Sequence, residues 1–137
     1  MNGLLFDASS LLKAFKENRL DLLRRSYIQR LTIYEALNAL WKETYLLRII
    51  SFEKSIELAD ILINIVRHMY ALDPVGLEKE IFNIALNIGI TIYDASYIAL
   101  ARKHNLVLVT EDRRLRNKCK NLVNVKSLDE IISETSM

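Results

Sequence analysis

Cysteine, proline and glycine are scarce in this sequence: one Cys, one Pro and three Gly in 137 residues. The lone Cys119 excludes a disulfide framework or a cysteine-based zinc cluster and fits a reducing compartment. Glycines standing alone at positions 3, 76 and 89 leave no glycine-rich loop to cradle a nucleotide's phosphates, so kinase-like and dinucleotide-binding readings fail. His68 and His104 have neither a Glu at metalloprotease spacing nor a Ser in a nucleophile elbow, and both read as surface or boundary residues. The longest weakly charged run, Ile81 to Ala101, carries Asp94 as its only charge but is interrupted by Asn83, Asn87, Gly89 and Thr91. A carboxylate near mid-bilayer would be costly, so no membrane span is expected. The N-terminus lacks the basic region of a signal peptide and reaches an acid at position 7, which predicts a cytoplasmic protein.

What is present is apolar and well mixed. Hydrophobic residues make up 51% and charged residues 26%, with a net charge of +2. That composition predicts one ordered domain over residues 1–137 and only a mild lean toward polyanions. Gly3 to Phe6 reads as a buried strand, followed by Ser9 and Ser10 as caps of a helix to about Lys16. Tyr27 to Leu31 is a weaker extended segment. Thr32 is expected to open a long helix, Ser51 a second, and Asp73-Pro74 a third that Gly89 ends. Thr91 to Lys103 reads as helix, Leu106 to Val109 as buried strand, Leu122 to Val125 as a weaker one, and Ser127 caps a last helix. Short apolar strands separated by helices predict an α/β sandwich around a parallel sheet.

Carboxylates are the chemistry left. Asp7 follows the first strand and Asp112 lies just past the strand at 106–109, so both should sit at the carboxyl edge of a parallel sheet, where open α/β folds bind ligands. Asp94 and Glu35 stand in apolar company in what should be the first turns of their helices. Each acid alone is about as well explained as a cap, and Thr32-x-x-Glu35 has capping-box spacing. Four together ask for more. Two carboxylates ~4 Å apart repel by roughly 4 kcal/mol at an effective dielectric of ~20, so a converged set needs protons or divalent cations. An all-oxygen cluster suits Mg²⁺ or Mn²⁺, which can ionise water and orient a phosphodiester. Two other readings stay open: a phosphotransfer domain with Asp7 as nucleophile, although the second acid such enzymes need two residues later is Ser9 here, and a non-catalytic module whose acids are only caps.

At these residues the sequence resembles PIN-domain ribonucleases, particularly toxins of the VapBC type. The resemblance rests on Leu5-Phe6-Asp7-Ala8-Ser9, on Tyr34-Glu35-Ala36-Leu37-Asn38-Ala39-Leu40, on Tyr93-Asp94-Ala95-Ser96-Tyr97-Ile98-Ala99-Leu100-Ala101, and on Val109-Thr110-Glu111-Asp112-Arg113-Arg114-Leu115. It implies a three-layer α/β/α fold with a mainly parallel sheet. It further implies that Asp7, Glu35, Asp94 and Asp112 hold one or two Mg²⁺ or Mn²⁺ ions, with Ser9, Asn38 and Thr110 in support, and cut RNA. Toxin, RNA-processing nuclease and non-catalytic PIN-like module are the roles it leaves open. The basic run Arg113, Arg114, Arg116, Lys118 and Lys120 could grip phosphates, although a solvated face explains it as well. The wide apolar arcs between Leu46 and Val66 have internal core packing as their default explanation and burial in a homodimer or under an antitoxin segment as the other.

Overall fold

The computed structural model describes residues 3–136. Five short strands, β1 (Leu4–Phe6), β2 (Tyr27–Gln29), β3 (Tyr70–Leu72), β4 (Val107–Val109) and β5 (Val125–Lys126), form one sheet in the order β3-β2-β1-β4-β5. Every neighbouring pair is parallel, with Leu5 opposite Tyr27 and Phe6 opposite Val109. The helices are α1 (Ala8–Lys16), α2 (Leu20–Leu23), α3 (Arg30–Trp41), α4 (Phe52–Val66), α5 (Glu78–Ile88), α6 (Ile92–His104), α7 (Arg113–Cys119) and α8 (Leu128–Thr135). A π-helical turn, Lys42–Leu46, prolongs α3.

Alternation along the strands divides the core into two layers, because successive side chains point to opposite faces. Leu4, Phe6, Val107 and Val109 pack on one face with Leu11, Leu23, Ala36, Leu40, Leu62, Leu128 and Ile131. Leu5 and Leu108 pack on the other with Ile81, Ile84, Ile98, Leu100, Leu115 and Cys119. Thus α1, α2, α3, α4 and α8 cover one face and α5, α6 and α7 the other, which makes the expected α/β/α sandwich. The chain steps outward from β1 to β2 and β3, then returns to place β4 on the opposite side of β1. That reversal puts a crevice at the carboxyl ends of β1 and β4, where Asp7 and Thr110 to Asp112 lie.

Several element boundaries differ from the sequence reading. The cap of α1 is Asp7 itself, whose Oδ1 accepts from the Ser10 N–H at 3.0 Å, and Ser9 and Ser10 lie inside the helix. Helix α3 begins two residues before Thr32: Gln29 is its cap, and the buried Thr32 hydroxyl accepts the Gln29 N–H at 3.1 Å. Pro74 starts a turn rather than a helix. An Asp73 Oδ1 to Val75 N–H bond of 3.0 Å and Gly76 at φ +96° complete that turn, and α5 begins at Glu78. Gly89, at φ +68°, does end α5, and Thr91 does cap α6. Among the described residues no single helix is long and apolar enough to cross a membrane. The α5–α6 pair that comes nearest is bent by 116° and owes its apolarity to the core.

Candidate active site

Asp7 is fixed by the end of β1 and the start of α1. Its residue is 9% exposed, and its Oδ1 accepts from the Ser9 hydroxyl at 2.7 Å, the Ser10 N–H at 3.0 Å and the Ser10 hydroxyl at 3.0 Å. The Asp7 N–H donates to the Val109 carbonyl at 3.2 Å, so the ends of β1 and β4 are stitched together directly beneath the carboxylate. Burial pushes its pKa above the usual carboxylate value, and hydrogen bonds from Thr110, Ser10 and Ser9 oppose the shift without reversing it.

Asp112 arrives from the other strand of the crevice. The buried Thr110 accepts the Asp112 N–H on its Oγ1 at 3.2 Å, and Asp112 Oδ1 caps α7 by accepting the Leu115 N–H at 3.1 Å. Ser9 bridges the two strand ends, because its Oγ accepts the Glu111 N–H at 3.2 Å while donating to Asp7. Ser9 thus bonds both Asp7 and the Glu111 amide, and Thr110 the Asp112 amide.

Asp94 and Glu35 come from opposite faces of the sheet. Asp94 stands in the first turn of α6, half-buried, with its N–H on the Thr91 hydroxyl at 3.1 Å. Glu35 lies in the second turn of α3, a correction to its expected first-turn place: the true cap is Gln29, which removes the capping-box explanation of Glu35. Its Oε1 accepts instead from the Tyr97 hydroxyl of α6 at 2.7 Å. Burial raises the pKa of both acids, and neighbouring carboxylates add to it: Asp7 and Asp94 act on Glu35, Asp7 and Asp112 on Asp94. Acids from four separate segments therefore share one electrostatic neighbourhood.

Hard oxygen donors whose charges act on Glu35 and Asp94 have the chemistry of a divalent-cation site. The donor set fits such an ion, although among the described residues no three acid, His or Cys side chains already close to coordination distance. A groove of about 300 Å³ opens beside Asp94 and Asp112, with Arg114 and Lys118 on its wall. Arg113 and Arg114 are exposed, and Arg116 donates one of its guanidinium N–H groups to the Thr110 carbonyl at 2.7 Å. Asn38 lies exposed one turn after Glu35.

The family model described as "PIN domain" matches residues 4–121. The chain belongs to the PIN domain family. Two relatives from Pyrobaculum aerophilum agree. The one named Exonuclease VapC9 is 39% identical over 126 residues, covering 90% of this chain and 91% of the relative. The one named Ribonuclease VapC3 is 38% identical over 96 residues, 68% and 70% of the two chains. A solved structure from the same organism superposes with a TM-score of 0.83 at 31% identity, covering 98% of this chain and 96% of its own. Within this PIN domain, sequence reading overlooked Gln29, Thr32, Ser96 and Tyr97 as a polar group behind the acids: Gln29 Nε2 donates to Ser96 Oγ at 2.7 Å, and Thr32 and Tyr97 share a bond of 2.8 Å. Tyr97 and Ser96 stand in the quoted Asp94 motif, but only three-dimensional partners set them apart from core residues.

Proposed function

We propose that this PIN domain is a divalent-metal-dependent endoribonuclease and the toxin of a VapBC-type pair. The observation that carries the reading is that Asp7 and Asp112 follow β1 and β4 at one crevice while Asp7 and Asp94 act on the Glu35 carboxyl and Asp7 and Asp112 on that of Asp94. Relatives named as nucleases support it. These four side chains would hold Mg²⁺ or Mn²⁺. When bound, such an ion lowers the pKa of a water and offsets charge developing on a phosphodiester. Ser9 and Thr110 would keep the Asp7 carboxylate aimed into the crevice, the exposed Asn38 would reach a phosphate, and Arg113 and Arg114 would offer cations to the RNA backbone. The exposed apolar face of the π-helical turn and α4 would take an antitoxin segment or a second copy, in the cytoplasm.

Cleavage of RNA with Mn²⁺, with and without EDTA, tests the metal. Activity should vanish with chelator and with Asp94→Asn, and activity indifferent to both would end the reading. One relative's name makes exonuclease the second reading. A circular RNA separates them: an endonuclease linearises it, an exonuclease leaves it intact.

A further inference from the structure

Resting on the metal-nuclease reading, one buried group remains without a role. Tyr97 sits one turn beyond Asp94 on α6 and is 2% exposed, so its hydroxyl must find partners inside the protein. Both partners lie on α3: Thr32 Oγ1 at 2.8 Å and Glu35 Oε1 at 2.7 Å. The direction of every proton follows from the chemistry. An ionised carboxylate only accepts, so the phenol donates its single proton to Glu35, and Thr32 must then donate to the phenol. Thr32 Oγ1 in turn receives the Gln29 N–H at 3.1 Å. The result is one relay of aligned donors running from the backbone at the end of β2, through Thr32 and Tyr97, to the Glu35 carboxylate, each bond polarising the next.

Satisfying buried atoms does not require the last bond. Thr32 and Tyr97 already serve each other, and Glu35 is only half-buried and within reach of water. Without the phenol, repulsion from Asp7 and Asp94 would favour a Glu35 rotamer swung toward solvent. We propose that Tyr97 is a positioning residue: its hydroxyl, anchored by Thr32 and the Gln29 amide, holds the Glu35 carboxylate in toward Asp7 and Asp94 and so presets the site for a hard divalent cation.

The test is Tyr97→Phe, which keeps the ring in the core and deletes one oxygen. Calorimetric titration of the metal-free protein with Mn²⁺ should show affinity weakened about 10-fold or more, in the range found for residues that orient a metal ligand. The Mn²⁺ concentration for half-maximal cleavage should rise by the same factor, with the maximal rate recovered at high Mn²⁺ and the KM for RNA unchanged. A merely structural role would instead lower the melting temperature and leave Mn²⁺ affinity of the folded protein intact. Thr32→Val, which removes the anchor but not the phenol, should weaken Mn²⁺ binding in the same direction by less, and it decides the matter if Tyr97→Phe does not fold. Mn²⁺ affinity equal to the parent's in the folded variant overturns the proposal. Glu35→Gln tells the two failures apart. If it weakens Mn²⁺ binding while Tyr97→Phe does not, only the positioning role falls. If Glu35→Gln and Asp94→Asn both leave binding and cleavage unchanged, the reading of these acids as a nuclease metal site falls and takes the positioning role with it.

Discussion

Asp7, Glu35 and Asp94 are carboxylates held where their charge is unfavourable, and that has a consequence for stability. Burial raises all three, and neighbouring carboxylates raise Glu35 and Asp94 further. A carboxyl whose folded pKa exceeds its unfolded value binds its proton more tightly when folded, so its stabilising contribution is full below the unfolded pKa and is lost as pH rises through the folded one. The metal-free protein should therefore lose stability as pH climbs from the ordinary carboxylate values of 3.8 and 4.5 toward neutrality. Asp94→Asn removes one of the repelling charges and should raise the melting temperature at pH 7 without metal by about 2–4 °C, a gain that disappears near pH 4. Scanning calorimetry at the two pH values checks this, and an unchanged or lower value at pH 7 would count against a crowded acidic site. The acids stood out in sequence because each is preceded by an apolar or aromatic run. Tyr97 was not, because a tyrosine among Ala, Ile and Leu reads as core, and its carboxylate partner is 62 residues away.

Elements were legible in proportion to the local signal each carries. Helix α6 was readable at both ends, expected over 91–103 and found at Ile92–His104, and α4 at its start from Ser51, whose hydroxyl accepts the Lys54 N–H. The β3 strand was not read because three residues at a sheet edge, two of them exposed, carry no alternation that a sequence can show. Helix α2 is a four-residue helix without a side-chain cap and was missed for the same lack of signal. Where a cap also positions an acid, fold and site are tied together. Thr91 holds the first turn of α6, in which Asp94 stands, so Thr91→Ala should cost about 1 kcal/mol of stability, read as a lower urea midpoint with unchanged slope. An unchanged midpoint would mean that packing alone, through the buried run Ala95 to Ala101, sets where this helix begins.

The molecule as a whole covers both faces of its sheet but leaves one part of its surface unusually apolar. Between the π-helical turn and α4, Leu47 is 63% and Ile49 69% exposed, Phe52 at the start of α4 is 73% exposed, and only Leu62 of α4 is buried. Tyr45, Arg48, Ile49 and Phe52 line one continuous groove of about 530 Å³, with Trp41 stacked on Tyr45 at its margin. Contiguous apolar surface of this kind is what a protein contact would use, and the sequence carries it as wide apolar arcs. Because these side chains already face water in the protomer, replacing them removes no internal packing. Phe52→Lys should therefore leave the stability of the isolated protomer within about 0.5 kcal/mol while lowering the mass seen by light scattering if this face joins two copies. If mass is unchanged, the face does not join two copies, and the proposed antitoxin segment is left as its occupant. A large loss of stability would show that α4 packs more tightly onto the domain than its exposure indicates, leaving no face for any partner.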